Sequence, residues 1–117
     1  MAQASRRLQR LNDQIRDEVA DLLMHETDDP HLRGLISITS VETAPDLSRS
    51  KVFISVLGTD EEADATLERM KRAASFFRRE LAARLNLRHT PELDFRPDRS
   101  IAEGAKINSL LREIEGG

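Results

Sequence analysis

The sequence predicts an α+β domain, and three features carry the prediction. An amphipathic helical period opens the chain. Two β-branched runs then flank a turn-rich hexapeptide, and a second, longer helical period leads to one more short strand. At 117 residues the chain suits one compact domain, read as 1–117, with about 1–4 and 115–117 frayed. Charged residues at 33% and hydrophobic ones at 38% fit a soluble, folded chain.

The first helix rests on Leu8, Leu11, Ile15, Val19 and Leu22, which recur at three- and four-residue spacing. Ser5 is the expected N-cap. The helix should end near His25, because "ETDDP" is rich in turn formers and Pro30 cannot continue it. "LISITSVETA" and "SKVFISVLG" read as an antiparallel pair joined through "APDLSR". In the second strand Val52, Ile54 and Val56 form one apolar face. In the first, Ile36 and Ile38 alternate but Val41 is out of phase, so a bulge near Thr39 or Ser40 is expected. "TPELDFRPD" is a short strand with Leu93 and Phe95 on one side, between Pro91 and Pro97. Ile101, Ala105, Leu110, Leu111 and Ile114 suggest a short C-terminal helix.

Residues 61–87 pose a question. Ala63, Leu67, Met70, Ala74, Phe77, Leu81 and Leu85 form an unbroken apolar stripe. From periodicity alone one continuous helix is preferred, since no glycine or proline forces a break and alanine is the best helix former. Two points favour a kink at Ala73, Ala74 and Ser75. A straight helix of that length would run about 40 Å, long for a globule with a radius of gyration of roughly 13 Å. Phe76 would also lie about 140° from the centre of the stripe, exposed beside a buried Phe77.

The net charge of −3 hides a segregation by sign. Asp60, Glu61, Glu62, Asp64 and Glu68 come first. Arg69, Lys71, Arg72, Arg78, Arg79, Arg84 and Arg88 follow, opposed only by Glu80. Lys71, Arg72, Ser75, Arg78 and Arg79 share one side of the helical wheel beside the apolar stripe. Such a surface suits an anionic partner such as RNA, through phosphate contacts that do not read bases. The plain alternative is solvent-facing charge, partly paired with Glu68 or Glu80.

Several functions are disfavoured. No apolar run approaches the roughly 20 residues of a membrane span, and no leader pattern marks secretion. The absence of cysteine excludes disulfides, thiolate metal sites and cysteine nucleophiles, and fits a reducing cytoplasm. His25 and His31 flank Glu26, Asp28 and Asp29, but their spacing matches no metal motif, and a polar loop explains the cluster better. His89 sits among basic residues, where RNA contact or solvation is simpler than catalysis. No Gly-x-Ser-x-Gly elbow or phosphate loop occurs. We therefore expect no enzyme, no cofactor and no metal.

The order helix, strand, strand, helix, kink, helix, strand resembles the type II KH-like arrangement. "DPHLRGLISITSVETAPDLSRSKVFISVLG" and "RAASFFRRELAARLNLRHTPELDFRPDRSIAEGAKINSLL" resemble bacterial ribosome-binding factor A, in order and over well over half the chain. The most specific pieces are Asp29-Pro30, the Ser48-to-Gly58 strand, Arg78-Arg79-Glu80-Leu81, "LNLRHTPEL", and Ser100 with Gly104. The resemblance implies a three-stranded sheet covered by helices on one face, and a break between the helices of residues 61–87. In that family an Ala-x-Gly kink replaces the Gly-x-x-Gly loop of ordinary KH domains. Here Ala73-Ala74-Ser75 keeps the alanine and puts serine for glycine, which implies a shallower kink or a serine cap. No Gly-x-x-Gly occurs, so a standard single-strand KH clamp is not expected.

The resemblance further implies a monomeric, non-enzymatic factor for late maturation of the free small (30S) ribosomal subunit and processing of 16S rRNA precursor ends near the 5′-terminal helix. Lys71, Arg72, Ser75, Arg78, Arg79, Arg84 and Arg88 are then the expected rRNA-binding residues. The acidic stretch 60–68 would disfavour the wrong docking orientation, and assembly GTPases are candidate cooperating partners. The alternatives are a general RNA-binding KH-like module, or a protein-interaction domain that binds through its C-terminal helix.

Overall fold

The computed structural model describes residues 2–25 and 36–98, with side chains from Arg6 onward. The elements are α1 (Ala2–His25), β1 (Ile36–Thr43), β2 (Arg49–Val56), α2 (Asp60–Arg72), α3 (Ala74–Leu85) and β3 (Glu92–Pro97). The expected C-terminal helix, the Glu26–His31 loop, Ser100 and Gly104 lie outside the described residues. Helix α1 starts at Ala2, so Ser5 falls inside its first turns and is not its N-cap.

The strands form one sheet in the order β1-β2-β3, with β1 antiparallel and β3 parallel to β2. The register slips between Ile38 and Ser40, leaving Thr39 as the extra residue. This bulge brings Val41 into phase with Ile38. Ile36, Ile38, Val41 and Thr43 then stand opposite Val56, Ile54, Val52 and Ser50 on one face. The β1–β2 turn follows from its residues. Pro45 presets the backbone, Leu47 N–H closes on the Ala44 carbonyl, and Asp46 accepts from Ser48 N–H and hydroxyl.

One face of the sheet carries the core. Ile15, Val19, Leu22 and Leu23 of α1, Val52 and Ile54 of β2, Leu93 and Phe95 of β3, and Met70, Phe77 and Leu81 of the later helices are buried together. Phe77 meets Phe95 edge-on at 5.6 Å. Thr43 and Ser50 are also buried and share a hydroxyl hydrogen bond of 2.8 Å, which satisfies both. On the opposite face, which no described helix covers, Arg49 of β2 and Glu92 of β3 form a cross-strand ion pair at 3.7 Å.

Candidate nucleic-acid interface

The helical stretch is two helices meeting at Ala73. Ala73 ends α2 and opens α3 with φ −86° and ψ 0°. Its N–H is shared between the carbonyls of Arg69 and Met70, and its own carbonyl accepts from Phe77. The break therefore needs no positive φ, and glycine would add nothing there. Ser75 is not a cap: α3 opens without any side-chain cap hydrogen bond, and Ser75 is exposed in its first turn. Phe76 becomes half-buried, edge-on to Phe77 at 5.5 Å, as the kink requires. At the other end Asn86, with φ 52°, closes α3 in the left-handed conformation that asparagine tolerates.

Helix α2 also explains why the charges segregate. Thr59 caps it: its hydroxyl accepts from Glu62 N–H at 3.1 Å and donates to the Glu62 carboxylate at 3.2 Å. Asp60, Glu61 and Glu62 fill the first turn, and Arg69, Lys71 and Arg72 the last, each at the end of the helix dipole that favours its sign. The Thr59-x-x-Glu62 capping box is a legible start signal that the apolar period alone misses.

The expected RNA-binding residues fall into three groups. Lys71 and Arg72 end α2, Ser75 lies one turn on, and Arg79 follows in α3; all four are exposed around the joint. Among the described residues, Lys71 has only a long i,i+3 contact with Glu68, at 3.9 Å. Arg78 is exposed as well, but its guanidinium donates twice to the Thr90 carbonyl, at 2.9 and 3.1 Å, tying α3 to the segment before β3. Arg84 is committed elsewhere. It bridges to Glu18 at 2.9 Å and Asp21 at 2.7 Å on α1, and its side chain is only 27% exposed. Arg88 is exposed in the connection from α3 to β3. Of the histidines, His25 lies 3.5 Å from Asp21 and His89 is exposed.

The arrangement can therefore offer Lys71, Arg72 and Arg79, with Arg88 after α3, to an anionic surface. Arg78 and Arg84 spend their hydrogen bonds holding elements together. Sequence spacing does not separate the two roles, because the acceptors are a carbonyl twelve residues away and two carboxylates on α1.

The chain is similar to known proteins over most of its length. The family model of ribosome-binding factor A matches residues 7–111. The ribosome-binding factor A of Acetivibrio thermocellus is 45% identical over 107 residues, which are 92% of this chain and 87% of that protein. That of Thermomicrobium roseum is 45% identical, covering 95% of this chain and 85% of its own. The crystal structure of ribosome-binding factor A from Thermus thermophilus superposes with a TM-score of 0.67 at 26% identity, over 78% of this chain and 96% of that one. A solution NMR structure of a Thermotoga maritima protein, described as a putative ribosome binding factor A, gives 0.63 at 33% identity, over 76% and 88%. A homology model of the Thermus thermophilus factor, fitted into a cryo-EM map of its 30S complex, gives 0.61 at 26% identity, over 75% and 91%. With a family match across most of its length and relatives this similar, the chain belongs to the ribosome-binding factor A family.

Proposed function

We propose that this chain is a non-enzymatic assembly factor that binds the free small ribosomal subunit and assists its late maturation, including processing of the 16S rRNA precursor near the 5′-terminal helix. Family membership over residues 7–111 carries the reading, supported by the Thermus thermophilus relative that has been fitted into the map of a 30S complex. The factor acts in the cytoplasm as a monomer, with assembly GTPases as cooperating partners. Its contribution is differential affinity: binding favours one rRNA conformation over others, without covalent chemistry.

Lys71, Arg72, Arg79 and Arg88 are the proposed phosphate contacts. Ser75 adds a hydroxyl at the joint, and Arg78 and Arg84 hold the surface in place. Contacts of this kind supply affinity and orientation but no base readout. The test is co-sedimentation with free small subunits across a salt series. Arg72→Glu together with Arg79→Glu should weaken binding and flatten the log–log salt slope by about one to two units, since fewer counterions are released. The fold should survive, because exposed substitutions stay within about half a kcal/mol each. If the wild-type protein fails to co-sediment, the assembly-factor reading is wrong. If wild type and variant co-sediment equally at every salt concentration, the contact lies elsewhere, with the exposed Arg6, Arg7 and Arg10 of α1 as next candidates.

A further inference from the structure

The charges of α2 follow its dipole, and those of α1 do not. No acidic residue stands in the first turn of α1. Arg6, Arg10, Asp13, Asp17 and Asp21 instead share one exposed stripe at three- and four-residue spacing, cations first and acids after. The acids are held within the chain. Asp13 and Asp17 lie 4.0 and 3.5 Å from Arg16, and Asp21 accepts from Arg84 and lies 3.5 Å from His25. The arginines are not. Arg6, Arg7 and Arg10 are exposed, and none has a hydrogen-bond or ion-pair partner among the described residues. Arg6 and Arg10 are moreover a like-charge pair one turn apart, which weakens a helix. Side chains that cost a helix stability and gain nothing inside the chain point to a gain outside it.

We infer that Arg6, Arg7 and Arg10 form a second phosphate-contact surface, which holds a stretch of RNA backbone separate from the one at the α2–α3 joint. Arg6 and Arg10 stand about 6 Å apart along the helix axis, close to the separation of neighbouring phosphates on an RNA strand. The donor fork of arginine suits a phosphate. Every exposed side chain from residue 6 to residue 18 is polar or charged, so the patch lacks the apolar centre that a protein partner or a membrane surface would need.

Two features keep this surface apart from the joint. Helix α1 packs chiefly on β1, whereas α2 and α3 pack chiefly on β3, the other outer strand. Asp13, Asp17 and Asp21 also lie along α1 between the arginines and the contact with Arg84 of α3, so a backbone that tracked along α1 toward α3 would cross like charge. The choice of RNA as the partner rests on the assembly-factor reading above.

The test is binding of the full chain across a salt series to three probes: free small subunits, a short oligouridylate and a short polyglutamate. The variant is Arg6→Gln with Arg7→Gln and Arg10→Gln. Its affinity for small subunits should fall at least about tenfold, and its log–log salt slope should flatten by about two to three units. Its urea midpoint should equal or exceed that of wild type, because a like-charge pair is gone. A control of equal charge, Arg16→Gln with Arg49→Gln and Arg96→Gln, removes cations that are already paired and should flatten the slope far less. Added to Arg72→Glu with Arg79→Glu, the α1 losses should sum, as they do for separate sites. If wild type binds the oligouridylate but not small subunits, and the α1 variant loses that binding, the surface stands and the assembly-factor reading falls. Several results would overturn the inference: wild-type binding of neither RNA, equal flattening by the control, a clearly lower urea midpoint, or loss of polyglutamate binding alone. So would a combined variant that loses no more than either part when each part loses slope by itself, since the two surfaces would then be one.

Discussion

Arg84 donates from a single guanidinium nitrogen to Glu18 and Asp21, so its charge links α3 to α1. The hydrogen bond from Arg84 holds the Asp21 carboxyl below its ordinary value, with the His25 and Arg84 charges adding to the effect. The same contacts raise the pKa of Arg84, which stays protonated throughout. A carboxyl depressed in the folded state stabilises above its unfolded value, and that stabilisation fades as pH falls through the folded value. Arg84→Ala should therefore lower the urea midpoint at pH 7. The gap to wild type should close progressively below about pH 4, and narrow at high salt because the pair is solvent-accessible. A gap constant down to pH 2 would assign the loss to packing of the arginine stem instead.

Helix α2 begins at a capping box and ends at an alanine, and the two termini answer to different physics. At its start, Thr59 and Glu62 satisfy each other, and Gly58 takes φ 129°. A Cβ at Gly58 would lie 2.8 Å from the Glu62 carboxylate, which can swing aside, so it is the backbone angle that calls for glycine. Thr59→Ala should cost about 1 kcal/mol, measured by urea unfolding. A cost near zero would mean that the acidic first turn alone holds this terminus. At its end, Ala73 makes the turn within ordinary backbone angles. The joint was therefore hidden from composition. Glycine and proline are the visible signs of a break, and this break uses neither.

Across the whole molecule, α1 packs chiefly on β1, while α2 and α3 pack chiefly on β3, and β2 runs between the outer strands beneath them. Ile54, on that central strand, is 2% exposed and belongs to the hydrophobic core. Ile54→Ala should cost about 2–5 kcal/mol. Against a total stability of about 5–15 kcal/mol, such a loss is large enough to shift the midpoint by urea or heat in one cooperative step. A change below about half a kilocalorie would mean that the strand faces are reversed. Among the described residues the helices cover only one face of the sheet.

Periodicity and turn chemistry by themselves determined most of this architecture. The apolar spacing of α1, the β-branched runs and the misphased Val41 were enough to set the elements, the buried face and the bulge at Thr39, because burial imposes a period of 3.6 on helices and 2 on strands. Thr59 and Glu62 carried a further signal in plain view. Tertiary structure alone decided the rest. It set the direction of β3 and the hydroxyl pair of Thr43 and Ser50, while the break at Ala73 was already indicated by the wheel position of Phe76, the length of the helical stretch and the resemblance. It also separated the exposed cations at the joint from Arg78 and Arg84, whose hydrogen-bond acceptors lie on other elements. Period records only which way a side chain faces from its own element, and a hydrogen bond to Thr90, Glu18 or Asp21 depends on what the fold has brought opposite.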